Sequence, residues 1–136
     1  MSVIHDLIKD VDIPQFFRVT NRMDDTHIQD IPQAVRSALK REGTLDRIRP
    51  GSKVCFTAAS REIANSVVIL RTFAEELKRI GCVPYIVPGM GSHGGATAQG
   101  QRDVLTHFGI TEDACNCEIH SSMETAPVGF TAEGLE

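Results

Sequence analysis

The apolar residues Ile63, Val67, Leu70, Ala74, Leu77 and Ile80 recur in steps of four and three, which sets them on one stripe of a helix over residues 62–80. Lys78 and Arg79 fall in its last turn and Gly81 just past it, residue types that complement and close a helix C-terminus. Val3, Ile4, Leu7 and Ile8 show the same spacing over a shorter stretch and predict a small amphipathic helix at the start. Asp30 is placed to cap a helix with Pro32 in its first turn, Ile31, Val35, Ala38 and Leu39 on one face, and Gly43 beyond its end. Thr97 is placed to cap another, carrying Val104, Leu105 and Phe108 and stopping at Gly109.

Between these periodic stretches lie short runs of a different kind. Residues 16–20, Phe-Phe-Arg-Val-Thr, are aromatic and β-branched, follow Pro14 and precede Asn21 and Asp24, and so predict a first strand. After the Pro50-Gly51 turn, residues 54–58 are mostly apolar, the pattern of a central parallel strand covered on both faces. Residues 83–87 predict a second buried strand and residues 118–120 a weaker one. Strands and helices therefore alternate along one domain of 136 residues, predicting a three-layer, Rossmann-like α/β fold with a mostly parallel sheet and right-handed crossovers. Ligands of such sheets sit beyond the carboxyl ends of the strands, which singles out the segments after Ala58 and after Val87.

Both segments carry chemistry. In Gly89-Met90-Gly91-Ser92-His93-Gly94-Gly95 the glycines let the backbone come close to a ligand and leave N–H groups free to face an anion. The helix that starts near Thr97 adds its positive end, so Gly91, Ser92, Gly94 and Gly95 are candidate holders of a phosphate or carboxylate. The spacing matches neither the dinucleotide-binding glycine pattern followed directly by a helix nor a Walker A loop. A plainer reading is that the glycines only permit a tight turn. His93 argues against it: no bulky neighbour would bury the ring, and an imidazole titrates where proton transfer is needed, making His93 the catalytic candidate.

Beyond the first buried strand, Thr57, Ser60 and Arg61 bring two hydroxyls and a guanidinium to the start of the long helix, where Arg61 can fork onto a carboxylate or phosphate. The competing reading pairs Arg61 with Glu62 or Glu75 on the surface. His5, His27 and His107 are weaker candidates, and Ser121-Ser122 is placed to rim the pocket. Cys55 and Cys82 lie in apolar runs and read as core. Cys115, Cys117 and His120 could be written as soft metal ligands, but a fourth ligand is missing and C-x-C is not the usual zinc spacing.

Composition narrows the class further. With 41% apolar and 24% charged residues the chain belongs among globular domains rather than disordered or fibrous ones. A net charge of −4 gives no field attractive to nucleic acid or to an anionic membrane surface. No apolar stretch approaches a membrane span, and the start lacks the apolar core of a signal peptide, so a cytoplasmic location with reduced thiols is expected.

Residues 86–101, Ile-Val-Pro-Gly-Met-Gly-Ser-His-Gly-Gly-Ala-Thr-Ala-Gln-Gly-Gln, together with Ser60-Arg61-Glu62-Ile63-Ala64-Asn65 and Ser121-Ser122-Met123-Glu124, resemble the nickel-pincer-nucleotide-dependent lactate racemase family. The resemblance spans most of residues 51–129 and implies an isomerase, a racemase or epimerase of small 2-hydroxy acids, in which a nickel-bearing pyridinium mononucleotide takes a hydride from the substrate carbon and returns it to the opposite face. It implies that His93 is the acid–base group on the substrate hydroxyl and that Arg61 binds an anionic group near cofactor and substrate. Where lactate racemase is expected to have Asp-x-Thr-Arg, this chain has Ala58-Ala59-Ser60-Arg61, which removes an acidic contact and argues against lactate itself. Family members are considerably longer, and their C-terminal domain supplies the cofactor-tethering lysine, a second catalytic histidine and a nickel-ligating histidine. The chain is therefore expected to be an N-terminal domain that is inactive alone. A module that binds phosphate or nucleotide without catalysis, and a metal-binding or self-associating domain, are the competing expectations.

Overall fold

The computed structural model describes residues 3–12, 14–41, 43–61 and 63–134, without the side chains of His5 and Asp6. Helix α1 is Val3–Ile8 and α2 is Ile31–Arg41; strand β1 is Lys53–Ala58, followed by helix α3, Ser66–Arg79, and strand β2, Val83–Pro88. Helix α4 is Ala98–His107, α5 is the single turn Glu112–Cys115, and β3 is Glu118–Ile119. The caps read from sequence are used: Asp30 Oδ1 accepts from Gln33 N at 2.9 Å, and Thr97 Oγ1 accepts from Gly100 N at 3.0 Å. At the end of α3, Cys82 N bonds to Leu77 O at 3.0 Å and Gly81 N to Lys78 O at 2.9 Å, the paired bonds of a glycine-closed helix.

The sheet has three parallel strands in the order β1-β2-β3, with Phe56 opposite Ile86 and Ile86 opposite Ile119. Adding strands in one direction through right-handed crossovers sets both connecting helices on the same face. The burial pattern agrees: Ala58, Ile86 and Ile119 are buried, whereas their neighbours Thr57 and Glu118 are exposed. The core lies between that face and the helices, filled by Ala74 of α3, Leu105 of α4, and Met90, Ile110, Cys115 and Cys117. Helix α2 packs on α3 rather than on the sheet, with Arg36 Nε donating to Glu76 Oε1 at 3.0 Å.

The described residues thus form a mixed α/β arrangement around a small three-stranded parallel sheet. Three expectations are corrected. Strand β1 is an edge strand with alternating burial, and Cys55, expected in the core, points out to solvent. Residues 16–20 form no strand, and Phe16, Phe17 and Val19 are more than three-quarters exposed; strand-prone residues become a strand only where a neighbouring edge takes their backbone bonds. Finally, α3 begins at Ser66 rather than residue 62, because Asn65 has a left-handed backbone, φ 61°, that interrupts helical geometry. Glu62 itself lies outside the described residues. Helix α1 forms as expected, but Val3, Ile4, Leu7 and Ile8 are all exposed. Accordingly the accessible surface is 10896 Å², against roughly 7,000 Å² for a compact monomer of this mass.

Candidate functional site

The ends of β1 and β2 lie side by side, and the loop after β2 begins by bonding back to its neighbour, with Gly89 N donating to Ala58 O at 2.8 Å. The loop is then fixed from behind. The Met90 side chain is buried in the core, and Gln101, itself buried on the same face of α4 as Leu105, donates from Nε2 to Gly91 O at 2.8 Å. Thr97 Oγ1 donates to Gly94 O at 3.1 Å, and His93 N bonds to Met90 O at 3.2 Å. Because a trans peptide points its C=O and N–H in opposite directions, turning the Gly91 carbonyl inward onto Gln101 turns the Ser92 N–H outward. Among the described residues, the amides of Gly91 and Ser92 donate to no protein acceptor.

Gly94 and Gly95 both adopt left-handed backbone, φ 65° and 66°, within the short turn His93–Ala96. That turn lays the Gly94 carbonyl over the first turn of α4, where Thr97 already takes the Gly100 amide. One of the helix's unpaired N–H groups is thus satisfied internally. The amides of residues 91 and 92, bonded to no protein acceptor among the described residues, are free for an anion.

His93 is exposed and lines a cleft with Ser60, Gly94, Asp103, Val104, His107 and Phe108. Thr57 and Arg61 line the neighbouring cleft, which Phe108 also borders. Arg61 lies in the loop ahead of α3 rather than on its first turn, and among the described residues no carboxylate pairs with it. Glu75, one of its two expected partners, is engaged by Arg71 at 3.0 Å. Asp103 accepts from Gln99 Nε2 at 2.8 Å.

The remaining candidates lie elsewhere. Ser121 and Ser122 line a separate cleft with Val87, Pro88 and Arg102, so they do not rim the one that contains His93. Cys115 and Cys117 are core residues, and burial pushes both thiols up, that of Cys117 to about 11. His120 stacks on Tyr85 at 4.8 Å and pairs with Glu118 at 2.7 Å. His27 bonds to Gln29, and the His5 side chain is outside the described residues. Among the described residues no three His, Cys, Asp or Glu side chains are grouped to hold a metal ion, and no helix is long and apolar enough to cross a membrane. Gln101 and Asp103 were not singled out from sequence, although the four-residue step from Gln101 to Leu105 already set that glutamine on the buried face of its helix; His107, a weaker candidate, lines the cleft with His93.

Compared with protein-family models, with curated proteins and with solved structures, the chain matches none.

Proposed function

We propose that the chain is the N-terminal domain of a racemase or epimerase of 2-hydroxy acids, akin to the lactate racemase family its loops resemble. What supports the reading is His93: an exposed imidazole on a loop fixed from behind by Met90, Thr97 and Gln101, in one cleft with Ser60 and beside the cleft that Arg61 borders.

The residues fit the anionic part of a nickel-pincer nucleotide. The unpaired amides of Gly91 and Ser92 suit a phosphate, with Gly94 and Gly95 shaping the loop around it, the hydroxyls of Thr57 and Ser60 near by, and the Arg61 guanidinium available to a carboxylate. They do not fit its metal, for which no group of ligating side chains exists among the described residues; those ligands would come from the C-terminal domain. When bound, such a group supplies an acceptor for the hydride of the substrate carbon and its return to either face. His93 accepts the proton of the substrate hydroxyl as the hydride leaves and gives it back afterwards, work that contributes about 10²–10⁴-fold in rate. Arg61 holds the carboxylate so that the hydroxyl stays within reach of the imidazole.

The test is conversion between enantiomers of a 2-hydroxy acid, followed by chiral chromatography, in the complete two-domain protein carrying its nucleotide. His93→Ala should lower the rate by about 10²-fold or more while the mass of the bound nucleotide is unchanged. The chain alone should show no conversion, and turnover by it would overturn the shared-site reading.

One observation favours a second reading, a phosphate- or nucleotide-binding module without catalysis. Among the described residues the His93 ring has no hydrogen-bond partner, whereas a working acid–base histidine is usually oriented by a second group. On that reading His93→Ala weakens phosphate binding and no enantiomer conversion exists to be lost.

A further inference from the structure

The cleft that Arg61 borders is larger and more apolar than a three-carbon acid requires. It measures about 430 Å³, room for about fourteen waters at ~30 Å³ each. Its walls are Phe56 of β1, Ile69, Leu70 and Phe73 of α3, and Phe108 beyond α4; the Phe56 and Phe73 rings stack at 6.1 Å. The polar side chains among its lining are those of Arg61, Thr57 and Ser66, with Arg61 the one cation. Arg61 is exposed, and among the described residues no carboxylate neutralises it.

One cation beside a hydrocarbon-lined hollow is complementary to one anionic group on an apolar body. A second charge or a polar tail would lose its water against Phe56, Leu70 and Phe73 and find no partner there. A short acid such as lactate would satisfy Arg61 and leave the aromatic wall wet. We propose that this cleft binds a monocarboxylate with a branched aliphatic or aromatic tail, the carboxylate on Arg61 and the tail against Phe56, Phe73 and Phe108. The inference rests on the hydroxy-acid reading for the reacting carbon and supplies the substrate side chain that reading leaves open; the binding itself needs no reaction.

The experiment titrates the 136-residue chain with lactate, hydroxyisocaproate, phenyllactate, isocaproate and the neutral isocaproamide, followed by amide chemical shifts. Affinity should rise about fourfold per buried methylene, so hydroxyisocaproate and phenyllactate should bind at least about tenfold tighter than lactate, with shifts at Ala59, Gly89 and Ile110. Isocaproate should bind like its hydroxy acid, and the amide about tenfold more weakly. Arg61→Gln should abolish the preference for acid over amide. Ile63→Asp, a change at an exposed lining position, should weaken every tailed acid while the amide spectrum stays that of the folded chain. A flat series, an amide that binds as well as the acid, or no shifts at these residues would overturn the proposal and leave the hydroxy-acid reading standing. Tail-dependent binding of isocaproate without enantiomer conversion in the complete protein would sink that reading and leave the cleft as assigned.

Discussion

A Cβ placed on Gly100 would lie 1.8 Å from the Gly94 carbonyl oxygen, and one placed on Gly94 would lie 2.3 Å from the Gly100 carbonyl carbon. The loop and the first turn of α4 thus meet backbone to backbone, at a distance only glycine on both sides allows. Gly91 and Gly95 in the same loop have open space around them. The four glycines therefore do different jobs.

The substitution series follows from that difference. Gly94→Ala and Gly100→Ala must push the loop off the helix and should each cost at least about 1–3 kcal/mol, as overpacked sites do. Gly95→Ala meets no atom within 4 Å and should cost only the left-handed backbone penalty, about 1–2 kcal/mol. Urea midpoints should order the variants with Gly95→Ala the mildest; equal losses at residues 95 and 100 would contradict the close approach.

Gln101 makes a second prediction, about order rather than clash. Its amide is the donor that turns the Gly91 carbonyl inward, and Gln101→Leu leaves a carbonyl unpaired at a cost of about 1–3 kcal/mol. Gln101→Glu should be worse, because an ionised carboxylate places acceptor against acceptor. In both variants the Ser92 amide should exchange with solvent faster and phosphate should bind more weakly, with α4 still helical. Unchanged exchange at Ser92 would remove Gln101 from the site.

How much of this could be read beforehand depends on what sets each feature. Helices α2, α3 and α4 were visible because their caps and apolar stripes are local: Asp30, Thr97 and Gly81 each act within a few residues of their position. The pairing of the two loops at the strand ends followed from the alternation of elements. Local pattern failed where an outcome depends on a distant neighbour. Phe16, Phe17 and Val19 have strand propensity but no edge to join, and the mostly apolar run from Val54 to Ala58 suggested a strand covered on both faces although Cys55 and Thr57 already alternated with Val54 and Phe56. The start of α3 was missed because Asn65, one of the few residue types besides glycine that accept left-handed backbone, fits a helical position equally well in the apolar spacing. The contact between Gly94 and Gly100 was hidden for the same reason: glycine-rich spacing does not distinguish a ligand's approach from that of the chain's own backbone.

Ala96 is a place where backbone and residue type disagree. It holds φ at 53° directly after Gly94 and Gly95, a region that costs a residue with a Cβ about 1–2 kcal/mol. Replacing it by glycine removes that penalty and adds about 0.4–1 kcal/mol of unfolded-state entropy. Ala96→Gly should therefore stabilise the chain by up to about 1 kcal/mol, seen as a higher urea midpoint. A lower midpoint would mean that the left-handed turn continues no further than Gly95.

Glu76 gives the chain a pH dependence of predictable sign. Burial raises its carboxyl's pKa, but the hydrogen bonds and charges of Arg79 and Arg36 outweigh this and hold it below its ordinary 4.5. A carboxyl depressed in the folded state adds stability above its unfolded pKa and loses it as pH falls through the folded one. Glu76→Gln should cost about 1–2 kcal/mol near neutrality, less than the ~3–5 kcal/mol of a fully buried pair, because Arg36 and Arg79 are 39% and 59% exposed and water screens them. Denaturant midpoints of the two proteins should converge as the pH falls below the carboxyl's ordinary 4.5 and through its lowered folded-state value. A gap that stayed constant down to acid would mean that the charge contributes nothing and only packing is lost.

The thiols discriminate between a folded core and a metal site. Cys55 is exposed on the open face of β1, while Cys82, Cys115 and Cys117 are buried. Only a thiolate attacks a disulfide reagent or ligates a soft metal, and burial holds the Cys117 thiol near 11 and raises that of Cys115. In the native chain Cys55 should react with an aromatic disulfide reagent at a rate set by its exposure, and Cys55→Ser should abolish that fast phase. The other three should react only as fast as the chain unfolds, all together on addition of denaturant. Zinc added before the reagent should leave both phases unchanged, since neither Cys115 nor Cys117 offers a thiolate near neutral pH. Zinc protection of a fast-reacting thiol at either position would instead require those sulfurs to leave the core, which would contradict their burial beside Ile119.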